Sequence, residues 1–334
     1  MATTRTLLTP VSWIWALATA RRIARGRPAD PGVPVICVGN LTVGGAGKTP
    51  TVGAIAKLLR AHGQAPHILS RGHGGRLPGP VRVDPARHCA ADVGDEALMM
   101  ALQDAEETPV WVARDRAAGA LAAAAAGARA IVMDDGHQNP HVTKTLSLVV
   151  VDGETRDEEW PFGDGAVFPA GPMREPLQRG LARADAVVLL LPADLPAPDA
   201  ELVALLSRHL ADKPILIAHL EPSVPPPTGA QIGFAGIGKP WKMERALKAA
   251  GCDLVDFASM ADHEPIAEET LSFLADRARG LNAGLVTSEK DWARLSPPWR
   301  ERVTPWPVRA RFEDEAALWI LIQPVLGKSG SNAN

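Results

Sequence analysis

Residues 38–50 read Val-Gly-Asn-Leu-Thr-Val-Gly-Gly-Ala-Gly-Lys-Thr-Pro, directly after the apolar run Val33–Val38. An apolar strand, a glycine-rich turn and then Gly-Lys-Thr opening a helix is the layout of a loop that cradles phosphate. Gly44, Gly45 and Gly47 let the backbone turn so that several N–H groups face one phosphate. Lys48 adds a cation for the β- and γ-phosphates, and Thr49 adds a hydroxyl for Mg²⁺. The helix expected from Lys48 aims its positive end at the same place. The generic pattern begins with a glycine where this chain has Thr42. The nucleotide-contacting stretch is therefore Thr42, Val43, Gly44, Gly45, Ala46, Gly47, Lys48, Thr49 and Pro50, and it predicts binding of a nucleoside triphosphate such as ATP.

Around that segment, apolar runs alternate with helix-compatible stretches. Strands are expected at Val33–Val38, Pro66–Ser70, Pro109–Ala113, Ala130–Met133, Leu146–Val151 and Ala186–Leu191. Helices are expected at Lys48–Ala61, Asp95–Leu102, Arg116–Ala126 and Ala200–Leu210. This alternation predicts a mostly parallel sheet covered by helices on both faces. Residues 221–229, with four prolines, read as a stiff linker. Beyond them the alternation resumes, with strands at Gln231–Ala235, Leu254–Phe257 and Gly284–Ser288 and helices at Trp241–Ala250 and Ile266–Arg279. A late strand over Val303–Phe312 and a helix over Glu313–Leu321 close the chain. The fold class is thus two α/β/α domains: a P-loop domain over 29–220 and a smaller second domain over 230–326, with a disordered tail over 327–334. At 334 residues, two domains are the natural expectation, and the cleft between them is the natural place for a site.

Charge narrows the partners. A net charge of −3 excludes a general nucleic-acid binder, which is usually basic. Three scattered cysteines, Cys37, Cys89 and Cys252, lack metal-ligand spacing and suit a reducing cytosol. The N-terminus is different: no acid precedes Asp30, whereas Arg5, Arg21, Arg22, Arg25 and Arg27 flank the apolar run from Leu7 to Ala20. That run is shorter than the roughly 18–20 residues that span a bilayer. Segment 1–28 therefore reads as a helix starting near Pro10, either lying in a membrane interface through Trp13 and Trp15 or packed on the protein's own core.

Several clusters are chemically suggestive. The run Ala130–Asp135 ends in two carboxylates, and either Asp134 or Asp135 fits the Mg²⁺-holding acid beside a P-loop. Asp95 and Glu96 follow Gly94 at an expected helix start, where acids also serve as caps. Arg71, Arg116 and Arg174 stand on loops at expected strand or helix ends.

Taken together, these segments resemble the tetraacyldisaccharide 4'-kinases of lipid A biosynthesis in Gram-negative bacteria. The resemblance runs from about Val33 to Asp291. It rests on Gly39-Asn-Leu-Thr-Val-Gly-Gly-Ala-Gly-Lys-Thr-Pro50, Ser70-Arg-Gly-His-Gly-Gly75, Gly94-Asp-Glu96, Arg114-Asp-Arg116 and Asp134-Asp-Gly-His-Gln138. It continues through Phe162-Gly-Asp-Gly165, Pro169-Ala-Gly-Pro-Met-Arg-Glu-Pro176, Phe234-Ala-Gly-Ile-Gly238, Asp262-His263 and Thr287-Ser-Glu-Lys-Asp291.

The resemblance implies transfer of the γ-phosphate of ATP, with Mg²⁺, to the 4'-hydroxyl of an acylated glucosamine disaccharide 1-phosphate, giving lipid IVA. It implies Asp95 as base with His263, Lys48 on the phosphates, and Thr49, Asp134, Asp135 and Glu96 near the metal. Arg71, Arg116, Gln138, Arg174 and Glu175 become substrate candidates. It also implies a peripheral enzyme on the cytoplasmic face of the inner membrane, without an obligate protein partner. Two positions depart from the family pattern. The histidine that closes the Asp-Asp-Gly motif is Asn139 here, with a histidine instead at His137, and the second histidine after Asp262 is Glu264. A nucleotide-driven switch NTPase or a non-catalytic nucleotide-binding membrane adaptor would explain the P-loop, but not the whole series of motifs.

Overall fold

The computed structural model describes residues 2–327 except 105, 106, 157, 158, 263 and 265. His263 and, apart from Gly327, the tail expected over 327–334 lie outside the described residues. In chain order the first elements are α1 (Ala2–Ala24), β1 (Val35–Gly39), α2 (Lys48–Ala61), β2 (Pro66–Ser70), β3 (Val81–Arg82), α3 (Ala90–Val93), α4 (Asp95–Asp104), β4 (Val110–Val112) and α5 (Arg116–Ala125). Then come β5 (Ala130–Asp134), β6 (Leu146–Asp152), α6 (Leu177–Ala182), β7 (Ala186–Pro192), α7 (Ala200–Leu210) and β8 (Ile215–Pro222). The remainder is β9 (Gln231–Ala235), α8 (Pro240–Ala249), β10 (Leu254–Ser259), α9 (Glu268–Gly280), β11 (Gly284–Ser288), α10 (Glu289–Arg294), α11 (Pro297–Arg300), β12 (Thr304–Trp306), β13 (Val308–Phe312) and α12 (Glu315–Leu326).

Two sheets organise these elements. The larger has nine strands in the order β13-β8-β7-β6-β1-β5-β2-β4-β3, and the smaller has four in the order β10-β9-β11-β12. Only the edge strands β13 and β3 run antiparallel to their neighbours. The central strands are buried at every residue, as β1 and β5 are, which is why their sequences are continuous apolar runs rather than alternating ones. On one face α2 buries Val52, Ile55, Leu58 and Leu59 against β1, β2 and β5, each side chain contributing about 1.5–3 kcal/mol on burial. Asp115 and Asp199 start α5 and α7 by accepting two backbone N–H groups each. The central strand β1 lies between β5 and β6, so its carboxyl end is the point where the winding reverses and ligands bind in such sheets.

The structure departs from the sequence expectation at three places. First, β8 continues through Glu221 and Pro222, residues expected to open the linker, because Pro222 at the strand's end need not donate to the ladder. Second, the stretch Val303–Phe312 is two strands in two sheets. Thr304–Trp306 pairs with β11, and after Pro307 the chain crosses over so that Val308–Phe312 pairs antiparallel with β8. The outgoing and returning crossings touch, Ser223 N–H donating to Pro307 O at 2.9 Å. As a result α12 rejoins the larger sheet, with Leu318, Ile322 and Val325 in its core, rather than completing the smaller unit. Third, the N-terminal helix begins well before Pro10 and runs through it. The ring removes one helical hydrogen bond there.

Both readings of that helix contain part of the arrangement. One side packs on the protein: Ser12 Oγ accepts from Ala170 N–H at 3.0 Å, Trp15 Nε1 donates to Arg174 O at 3.3 Å, and the Trp15 and Phe168 rings meet edge-on at 5.2 Å. The other side leaves Trp13 and Ile14 71% and 68% exposed, with Val11 and Leu17 beside them. Among the described residues no helix is long and apolar enough to cross a membrane.

Candidate active site

The loop after β1 is braced from within and from behind. Asn40, fully buried, donates through Nδ2 to Thr42 O at 2.9 Å and to Gly44 O at 3.4 Å. Behind it, Arg174 Nε donates to Thr42 O at 2.9 Å, and the main chain of Pro172 and Arg174 bonds to Val43 and Leu41. Gly47 adopts φ +78°, and a Cβ there would sit 2.0 Å from Leu190 Cδ2. Gly47→Ala is therefore expected to lower stability and abolish nucleotide binding, because strain and steric clash fall on the residue that turns the loop into α2. Thermal melting with and without ATP checks this; a Gly47→Ala protein that melts normally and still gains stability from ATP would contradict it. Past Gly47, α2 starts with no side-chain cap, leaving its first-turn N–H groups for an anion.

Beside the loop, the register Val38 to Asp134 sets Asp134, and Asp135 just past the end of β5, at the same edge. Asp135 takes φ +50° and accepts from Arg174 Nη1 at 2.9 and 3.0 Å, with Lys48 Nζ 3.7 Å away. Burial alone would raise its carboxyl, but Lys48 and Arg174 outweigh this and hold it below the ordinary value. Asp134 is the contrasting neighbour. Burial pushes its carboxyl up to about 7, with the charge of Glu96 adding to the effect, and its Oδ1 is buried with no hydrogen-bond partner.

An orphaned carboxylate oxygen at the mouth of a P-loop suits a divalent cation, which would restore its ionised form. Among the described residues no group of three or more His, Cys, Asp or Glu side chains forms a ready-made metal cage. That too fits Mg²⁺, which uses one or two carboxylates and takes its remaining ligands from water and phosphate. Thr49 and Asp134 suit it best, because Asp135 is already engaged by two cations.

On a separate element, α4 starts at Asp95, whose Oδ1 accepts the Glu96 N–H at 2.8 Å. Asp95 is buried, so its carboxylate is largely shielded from bulk water. Lys290, from the start of α10, places Nζ 3.9 Å from Asp95, 3.6 Å from Glu96 and 3.4 Å from Asp262. The residue preceding His263 therefore belongs to the same ionic group as Asp95.

The other sequence candidates divide. Arg174 joins the site, tying the P-loop to Asp135. Arg71 is exposed at the end of β2. Arg116, expected at the substrate, is instead buried, donating to Ala113 O and Asp134 O, and burial pulls its guanidinium down to about 10. Gln138 and Glu175 are buried braces: Gln138 Nε2 donates to Asn40 O and Glu175 Oε1, and Glu175 pairs with Arg183 at 2.6 Å.

His137 is buried, with both ring nitrogens hydrogen-bonded inside the fold. Its Nε2 faces Gly180 O at 2.9 Å, so that nitrogen carries the proton and Nδ1 accepts from the Ser147 hydroxyl at 3.0 Å. Burial drops its pKa to about 4. Asn139 accepts the His141 N–H within a turn. Two residues escape a reading of the sequence alone, Asn40 and Lys290. Each stands inside a quoted motif, Asn40 in Gly39–Pro50 and Lys290 in Thr287–Asp291, with nothing there to mark what it bonds to.

Known proteins match this arrangement along almost its whole length. The family model described as tetraacyldisaccharide-1-P 4'-kinase (LpxK) matches residues 4–326. A tetraacyldisaccharide 4'-kinase of Phenylobacterium zucineum is 68% identical over 95% of this chain and 93% of its own length. One of Caulobacter vibrioides is 64% identical over 96% of this chain and 94% of its own. A crystal structure of LpxK from Aquifex aeolicus in complex with ATP superposes with a TM-score of 0.75 at 26% identity, covering 97% of this chain and 99% of that one. The chain belongs to the tetraacyldisaccharide 4'-kinase family and is an ATP-dependent kinase of lipid A biosynthesis.

Proposed function

We propose that this kinase moves the γ-phosphate of ATP to the 4'-hydroxyl of a tetraacylated glucosamine disaccharide 1-phosphate, and that Asp95 is its base. The observation that supports the assignment of roles is the ionic group of Asp95, Glu96 and Asp262 around Lys290, in which Glu96 is near enough to bear on the charge of Asp134. Phosphoryl transfer asks the protein for alignment and charge neutralisation more than for covalent chemistry. Lys48 offsets charge on the transferring group, and the α2 N-terminus holds the phosphates behind it. The 4'-hydroxyl gives its proton to Asp95 as its oxygen bonds to the γ-phosphorus, and the bond to the β-phosphate oxygen breaks to release ADP. His263 shares or orients that proton. Thr49 and Asp134 are the residues that would hold Mg²⁺, which when bound would neutralise charge on the phosphate oxygens. Arg71 stands exposed where it can meet the acceptor's own phosphate.

Purified protein with γ-labelled ATP and the lipid disaccharide in mixed micelles tests this reading. Label in the lipid supports it; phosphate released independently of lipid selects a switch NTPase, and neither result selects a nucleotide-binding adaptor.

The same reading places the enzyme as a peripheral protein on the cytoplasmic face of the inner membrane, where its lipid lies. The apolar exposed side of α1, with Trp13 and Ile14, and the arginines at its end suit a headgroup boundary. Deleting residues 1–27 is expected to weaken sedimentation with anionic liposomes and raise the apparent KM for lipid in membranes. Nucleotide binding should persist, because β1 begins after the deletion. Unfolding of the shortened protein would instead make the contacts of Ser12 and Trp15 the helix's main role.

A further inference from the structure

The segment Thr287-Ser-Glu-Lys-Asp291 ends β11 and opens α10, and the residues around Lys290 are committed to anchoring. Thr287 Oγ1 donates to Phe234 O at 2.7 Å. Ser288 caps the helix by accepting Asp291 N–H at 3.0 Å. Glu289 accepts from Arg309 of β13 at 3.1 Å, and Asp291 accepts from Gly236 N–H at 3.1 Å. Further along the helix, Ala293 packs into the core of the larger sheet, while Leu295 just beyond it packs into that of the smaller. The helix is thereby fixed to both units, and Lys290 extends from it to the start of α4.

There its ammonium lies within 3.4–3.9 Å of Asp262, Glu96 and Asp95, with the side chain only 16% exposed. Two of those carboxylates open α4, and the third leads directly into His263. Three carboxylates in so small a space repel one another unless a cation lies between them. We propose that Lys290 is a positioning residue for phosphoryl transfer: its ammonium ties the Asp262 segment to Asp95 and Glu96 and so holds the Asp95 carboxylate in place at the start of α4. The proposal rests on the reading of Asp95 as the base.

The test uses the full chain with Lys290→Gln, Lys290→Arg and Asp262→Asn, measuring kcat and KM for ATP and for lipid, nucleotide affinity and melting temperature. Lys290→Gln is expected to lower kcat by about 10- to 100-fold through misplacement of the base. Its KM for ATP should stay within about twofold, since uniform nucleotide binding is untouched. Lys290→Arg, which restores the charge, should recover part of the loss. Combining Lys290→Gln with Asp262→Asn should cost little more than either alone, because both break one link.

The proposal is overturned by a Lys290→Gln enzyme with wild-type kcat, by a loss confined to KM for ATP, or by losses that add in log kcat. Should Lys290→Gln not fold, Asp262→Asn at its exposed position decides alone, and wild-type kcat there overturns the proposal. Failure of the wild-type enzyme to label lipid would sink the functional reading itself, and it is seen before any variant is compared.

Discussion

Lys48→Ala is expected to lower lipid phosphorylation by roughly 10²–10³-fold, the cost of removing one preorganised group from a developing charge, while the protein folds normally. The structure separates the two effects. The shape of the loop depends on Asn40, on Arg174 and on the main chain of Pro172, none of which needs the lysine. Asp135 also keeps Arg174 Nη1 as a partner of both its oxygens when Lys48 is gone, so its carboxylate is not left unpaired. What disappears is the cation beside the phosphate site. Melting temperature, ATP affinity and turnover measured on one preparation check this, and near-normal turnover by a folded variant would overturn the P-loop assignment.

The parts of the fold that were legible in the sequence are those where local punctuation and burial agree. The strand, loop and helix around Lys48 are marked by glycines and by a continuous apolar run, and α2 falls at Lys48–Ala61 as expected. The crossing back to the larger sheet was not legible. Thr304–Trp306 and Val308–Phe312 read as one extended stretch, and only pairing with β11 and β8 divides them. The continuation of β8 to Pro222 was masked by the prolines beyond it, and Pro10 concealed the first turns of α1.

The candidate site divides in the same way. Lys48, Asp134 and Asp135 announce themselves by position after apolar strands. Arg116 and Gln138 carry the same residue chemistry as a ligand would, and only burial and hydrogen bonding reveal them as internal supports. Lys290 lies almost two hundred residues along the chain from Asp95, so no local pattern could connect them.

Asp95→Ala is expected to lower kcat by about 10²–10⁴-fold, the usual contribution of a positioned base, while ATP affinity changes little. Asp95 lies at the start of α4, not on the P-loop. The groups on the nucleotide side, Lys48, Arg174 and Asp135, bond among themselves without it. Removing Asp95 leaves Lys290 with Glu96 and Asp262, so that the cluster keeps two of its carboxylates and the fold should survive. His263→Ala is expected to lower kcat less, because a residue that supports the carboxylate leaves a weaker base behind rather than none. If the two act as one unit, the double variant should cost little beyond Asp95→Ala alone, since residues that share one proton transfer are strongly non-additive. Losses that simply add in log kcat, or a His263→Ala enzyme with wild-type kcat, would rule out the pair and leave Asp95 to act without that histidine.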